Sequence, residues 1–130
     1  MRKDLEQKLV ERWPTWFRVN GDIRETLMPL GFQHLDGWFN IVWRLCEDLE
    51  PLVAEVELKT GQPFEVRQVK EKFGCMRFRT NFHSDAISAR IEAATLESFH
   101  TCEVCGQPGS QTEGPWSRTR CKAHAESESS

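Results

Sequence analysis

A small α+β fold is predicted by three features of the sequence. Apolar residues recur at helical spacing near the N-terminus and, more strongly, over residues 38–50. A period-two stretch broken by one glycine runs from Phe64 to Arg79. Near the C-terminus stand two ligand pairs, Cys102 with Cys105 and Cys121 with His124. Together they predict helices packed on a short antiparallel β-sheet or hairpin, closed by a treble-clef or zinc-ribbon-like finger. The expected organisation is an α+β core over residues 1–100, a finger over 101–125 packed on it, and a disordered tail over 126–130.

Leu5, Leu9, Val10 and Trp13 predict a first helix over 3–13, ended by Pro14. Residues 16–36 carry Asn20-Gly21, Pro29 and Gly31 and read as irregular. They also carry Trp16, Phe17, Leu27, Leu30 and Phe32, so the segment is expected to lie against the core. Asp36, before Gly37, reads as the cap of the central helix over 38–50, where Trp38, Val42, Leu45 and Leu49 form one stripe and Phe39, Trp43 and Cys46 another. After Pro51 the alternation from Val53 to Leu58 reads as a strand in preference to more helix. Phe64–Arg79 is predicted to be a hairpin turning at or beside Gly74, with a bulge near Gln68 where the first strand changes phase. In its second strand Met76, Phe78, Thr80 and Phe82 share one face and Arg77 and Arg79 the other. Ser84 caps a helix over 85–98 that uses Ile87, Ile91, Ala94 and Leu96.

The metal spacing is Cys102-x2-Cys105, fifteen residues, then Cys121-x2-His124. Two intervening residues let a tight turn aim two ligands at one ion, and Gly106 supplies the positive φ such turns use. Pro108-Gly109 and Gly114-Pro115 allow a short hairpin that brings the second pair back. Three thiolates and one imidazole make a closed shell, which holds a structural zinc and leaves no position for a reacting water. His100 is the one nearby substitute ligand, and Lys122–Ala125 can begin a terminal helix.

A net charge of -3 gives the chain no general attraction for nucleic acid or anionic membranes. Within residues 60–82, however, Arg67, Lys70, Lys72, Arg77 and Arg79 face only Glu65 and Glu71. This strip is either the solvated side of an amphipathic hairpin, whose charges block edge-to-edge pairing, or a surface for phosphates or an acidic partner. No apolar run approaches a membrane span, and the N-terminus has no signal-peptide apolar region, so a cytoplasmic protein is expected. An odd number of cysteines, three of them at ligand spacing, fits a reducing compartment. Cys46 reads as a core thiol and Cys75 as a turn thiol without an activating neighbour. Trp38 and Trp43 read as core, and His34 and His83 as loop residues. No Ser/His/Asp set, phosphate loop or carboxylate pair is legible, which points away from an enzyme.

With these residues in view, the chain resembles a widespread family of small proteins of unassigned function in tailed phages and prophages. The resemblance rests on the leader MRKDLEQKLVERWP, the segment Gly31-Phe32 to Asp36-Gly37-Trp38-Phe39, the hairpin Val69–Phe78, and the finger from Cys102 through Trp116, Thr119 and Cys121 to His124. It covers nearly the whole chain. It departs where the family has Cys-Gly and this chain has His34-Leu35, and where the family has Gly-Leu and this chain has Cys75-Met76. The resemblance implies a phage origin and the bacterial host cytoplasm, and transfers no catalytic residue.

The expectation is therefore a phage accessory protein with one structural zinc. It would act by binding a host or phage protein, such as a bacterial defence or regulatory protein, through the basic strip. One rival is a nucleic-acid-binding module using the strip and the finger. The other is a protein that binds or degrades a small defence signal in a pocket around Trp38, His34 and His83.

Overall fold

In the computed structural model the described residues are 1–82 and 84–129, with only the backbone described for 126–129; His83, weighed above as a pocket residue, lies outside them. Helix α1 spans Lys3–Arg12 and buries Leu9. Pro14 follows at once, and the chain to residue 38 has only short 3-10 turns at Met28–Leu30 and Asp36–Trp38. Its aromatic side chains do enter the core. Trp16 meets Phe64 edge-on at 4.9 Å, and Phe17 packs on Phe32 at 5.0 Å.

Helix α2 is longer than its sequence suggests. It runs from Phe39 to Thr60, with Pro51 inside it. The strand expected over 53–58 is therefore the last turns of this helix. A proline removes one intrahelical hydrogen bond and leaves the carbonyl four residues back unpaired. Here both Pro51 and Glu47 lie on the exposed face, where a freed carbonyl is open to solvent and costs little. The inward stripe Val42, Leu45, Leu49 and Val53 continues straight through, while Leu58 stays 88% exposed. Gly61, at φ 68°, ends the helix by donating its N–H to the Glu57 carbonyl.

The hairpin pairs β1 (Val66–Lys72) with β2 (Cys75–Thr80) antiparallel. Its register shifts between Val66 and Gln68, the expected bulge. The two turn residues, Phe73 and Gly74, both have positive φ (55° and 85°), the left-handed pair that matches strand twist. Along the other side of β1, Gln33 adds a bridge: its N–H donates to Val69 and its carbonyl accepts from Glu71, both at 2.9 Å.

Helix α3 spans Asp85–Ser98, capped by Ser84 Oγ, which accepts from the Ile87 N–H at 3.2 Å. It packs on α2 and on β2. Ile87, Ala94 and Ser98 face inward, whereas Leu96, assigned above to the apolar face, is 57% exposed. Two residues advance a helix by about 200°, so Ala94 and Leu96 cannot share a side.

Beyond α3 come β3 (Ser110–Gln111), β4 (Thr119–Arg120) and α4 (Lys122–Ser129). The backbone is thus helical over 126–129 of the stretch expected as a disordered tail, and Ser130 lies outside the described residues. The Ala125 N–H bonds the Cys121 carbonyl at 2.9 Å, so the helix is nucleated at the second ligand pair and the stretch extends it. No helix among the described residues is long and apolar enough to cross a membrane.

Candidate metal centre

Cys102, Cys105, Cys121 and His124 converge, with one ligand atom from each lying within 4.8 Å of all the others. Cys105 Sγ and Cys121 Sγ are 3.8 Å apart. His124 Nδ1 is 3.5 Å from Cys102 Sγ and 3.1 Å from Cys121 Sγ. In a tetrahedral thiolate–imidazole centre, bonds of about 2.3 Å to sulfur and about 2.0 Å to nitrogen separate the sulfurs by roughly 3.8 Å and sulfur from nitrogen by roughly 3.5 Å. The four side chains fit that shape and can hold one metal ion.

Local structure explains the convergence. The first pair sits on a turn in which the Gly106 N–H returns to the Cys102 carbonyl at 2.9 Å, with Gly106 at φ 82°. The second pair spans the step from β4 into α4, which puts Cys121 and His124 on one helical turn. The pairing of Ser110 with Arg120 and of Gln111 with Thr119 brings the pairs together. Burial pushes the Cys102 thiol up, but hydrogen bonds from the backbone at Cys121, Cys105 and Val104 outweigh it and bring the group down to about 6. At Cys105 the backbone at Gln107 favours the thiolate, yet desolvation and the neighbouring Cys102 and Cys121 leave it raised. A cation would relieve that crowding of negative sulfur.

The centre is clasped to the core by residues whose role the sequence did not reveal. The Gly37 N–H donates to the Glu103 carbonyl at 2.7 Å, and Trp38 Nε1 donates to the Thr101 carbonyl at 2.9 Å. Glu103, between the first two ligands, also accepts from the Leu35 N–H (3.0 Å) and from Arg120 (3.1 Å) through its carboxylate. Glu103 and Arg120 side chains are each only 5% exposed, and the pair is hydrogen-bonded on both sides. Asp36 is not the cap of α2. Its carboxylate accepts from the Arg2 N–H at 2.7 Å instead. On the hairpin side, Thr119 Oγ1 donates to the Gly74 carbonyl and Arg118 pairs with Glu71 at 3.2 Å.

The basic strip divides. The register sets Lys70 opposite Arg77, Lys72 opposite Cys75 and Gln68 opposite Arg79, so Lys70, Lys72, Arg77 and Arg79 share the face turned away from the core. None of these four is in an ion pair among the described residues; Arg79 donates to Gln68 Oε1 at 3.3 Å. Arg67 sits in the bulge and is engaged elsewhere, with the Glu25 carbonyl at 2.9 Å and Glu65 at 3.6 Å. Two aromatic residues are open: Phe73, beneath Lys72, is 70% exposed at the hairpin tip, and Trp116 is 79% exposed on the finger. A phenylalanine in a left-handed turn position was the signal for the first; nothing in the sequence marked the second.

His34 lines a concavity of about 420 Å³ beside Glu71, Glu103, Arg118 and Arg120. Burial pushes its imidazole down to about 4, Nδ1 lies 2.8 Å from the Leu35 carbonyl, and Nε2 is buried without a partner. Trp38 contacts His34 from within the core, and the arginines are already paired with the two glutamates. Burial raises both Cys46 and Cys75, so neither is an activated thiolate. Comparison with family models, with curated proteins and with solved structures gives no match to this chain.

Proposed function

We propose that the chain is a zinc-stapled accessory protein that acts by binding an acidic macromolecular partner through the outer face of its hairpin. The observation that carries this is the group Lys70, Lys72, Arg77 and Arg79, displayed together with no ion-pair partner among the described residues. Cations that a fold needs only for solubility are usually interspersed with acidic side chains; four of one sign on one face of a hairpin make a directed field. The zinc assignment rests on the ligand set, since three thiolates with one imidazole suit that ion and close its shell. In the phage setting that the sequence resemblance implies, the partner is a host or phage protein in the bacterial cytoplasm. An inhibitor of a defence or regulatory protein is the specific form of this reading.

Capture from bacterial lysate by immobilised protein, compared with the quadruple variant Lys70→Glu, Lys72→Glu, Arg77→Glu, Arg79→Glu, is the direct test. A partner retained by the native chain and lost by the variant, with the metal still bound in both, supports the reading. Equal retention, or no partner at all, removes it. Phe73 and Trp116 favour a second reading, a single-stranded nucleic-acid platform in which bases stack beside the cations. Salt-dependent anisotropy of a labelled oligonucleotide that falls in Phe73→Ala and Trp116→Ala would favour it; absence of binding at low salt would dismiss it.

A further inference from the structure

The alternation of hydrogen bonds in the β1–β2 ladder determines which backbone groups β2 leaves for another chain. The Val69 carbonyl and Glu71 N–H point away from β2, because both bond Gln33 at 2.9 Å. In an antiparallel ladder the residues opposite such positions also turn outward, on the far edge. Those residues are Phe78 and Met76. Met76 is satisfied there by α3: its N–H donates to Ser98 Oγ at 2.9 Å, and its carbonyl accepts from Thr95 Oγ1 at 3.2 Å. Past the bulge the pattern repeats at Thr80, since the N–H of its partner Val66 goes to the Trp16 carbonyl at 2.9 Å.

At Phe78 and Thr80, α3 offers no side-chain hydrogen bond of the kind that Ser98 and Thr95 give Met76. Among the described residues no hydrogen bond meets the outward backbone of Phe78 or the outward Thr80 N–H. A groove of about 530 Å³ opens between the edge and the helix, floored by Phe78, Phe82, Ile91 and Thr95 and rimmed by Glu92. Unpaired strand backbone beside a partly apolar groove is the arrangement that accepts an added strand.

We infer that the Phe78–Thr80 edge of β2 binds an extended acidic peptide segment as an additional strand, its carboxylates beside Arg77 and Arg79 and its apolar side chains in the groove. Side chains of an added strand alternate between the two faces. Those on the outer face stand next to Arg77 and Arg79, which selects carboxylates. Those on the inner face meet Phe82 and Ile91, and Glu92 disfavours acidic residues there. A second copy of this chain is the less suitable occupant, because self-pairing sets Arg77 and Arg79 against their own counterparts. The inference rests on the basic-face reading above and supplies its partner chemistry and geometry.

The test uses the metal-loaded full chain and a short fluorescein-labelled peptide of alternating Glu and Val. Saturable anisotropy is expected, together with slowed amide exchange at Phe78 and Thr80 and unchanged exchange at Met76. Methylating every second backbone nitrogen of the peptide, in the phase that faces β2, should weaken binding about ten-fold or more, the worth of one or two backbone hydrogen bonds. Equal affinity of the methylated peptide, unprotected Phe78 and Thr80, or no binding of the parent peptide overturns the inference. If methylation does nothing while Arg77→Glu with Arg79→Glu abolishes binding, the edge mode fails and the basic-face reading stands. If charge reversal leaves binding unchanged, it is the basic-face reading that fails. Protection of the same amides by self-association, seen as a doubled mass in light scattering, would replace the peptide with a second copy and so also overturn the inference.

Discussion

Gly37→Ala is expected to be among the most damaging single-methyl additions available in this chain. An ideal Cβ at Gly37 would lie 2.1 Å from the Cys102 carbonyl oxygen and 2.5 Å from that of Glu103. Hard-sphere repulsion holds carbon and oxygen about 3 Å apart, so the 35–38 turn and the metal knuckle must separate by roughly 1 Å. That displacement strains the Gly37–Glu103 bond at 2.7 Å, the Trp38–Thr101 bond at 2.9 Å and the Leu35–Glu103 bond at 3.0 Å. Two neutral bonds at about 1 kcal/mol each and one to a carboxylate at about 1.5–3 kcal/mol give a loss of roughly 3.5–5 kcal/mol. Backbone preference does not contribute to that loss, because Gly37 is outside the left-handed region. Urea unfolding followed by tryptophan fluorescence measures the stability, and a metallochromic chelator measures the rate of metal release. Both should move, the second because the knuckle has lost its support. Gly61→Ala is the control: nothing lies within 4 Å of its Cβ, and only the φ of 68° is penalised, at about 1 kcal/mol. A Gly37→Ala protein within about 0.5 kcal/mol of the native chain, the scatter of ordinary surface changes, would refute the clasp.

Three further outcomes follow from the same geometry. Strong chelation of the metal-loaded protein should melt residues 101–125 selectively, with the amides of Leu35, Gly37 and Gly74 shifting and those of the α2–α3 core persisting; an unchanged NMR spectrum after complete metal removal would contradict this. His34, held neutral by burial with its pKa at about 4 against an ordinary 6.5, contributes stability that is fully present above about pH 6.5 and lost as pH falls towards 4. The loss is of order 3 kcal/mol, and unfolding of His34→Gln measured in parallel at each pH, with metal saturating, should show that slope removed. Ser98→Ala leaves the buried Met76 N–H without an acceptor and should cost about 1–3 kcal/mol in chemical denaturation, with native secondary structure retained.

Most of the local structure was legible because it is written in local chemistry. Ser84 caps α3 through the N–H three residues on, the phase change at Gln68 is a bulge, and the ligand spacing alone assembles the four metal side chains. What escaped was decided by neighbours distant in sequence. Val53 and Val56 recur at a spacing compatible with a helix, but Pro51 argued for a break, and only the exposure of Glu47 and Pro51 makes the proline harmless. Asp36-Gly37 looked like a helix start because a cap is the commonest use of that pair. Its actual contacts, Arg2 and Glu103, are 34 residues upstream and 66 residues downstream of Asp36 and Gly37, where no periodicity can point. The unbonded outward backbone at Phe78 likewise depends on where α3 places Thr95 and Ser98 against β2, a matter of tertiary placement.

Glu103 has a consequence for how the protein meets its environment. One residue between two metal ligands takes hydrogen bonds from Leu35, Gly37 and Arg120, so metal capture and closure of the clasp are parts of one equilibrium. Thermodynamic reciprocity then requires that whatever free energy the metal lends the clasp, the clasp lends to metal affinity. Sequence changes in the 35–38 turn would therefore surface in cells as metal hunger, with variants that fold when the ion is plentiful and are cleared when it is scarce. The abundance of this protein would track the free level of that ion, and mutations in the turn would be rescued by supplementing the medium with it.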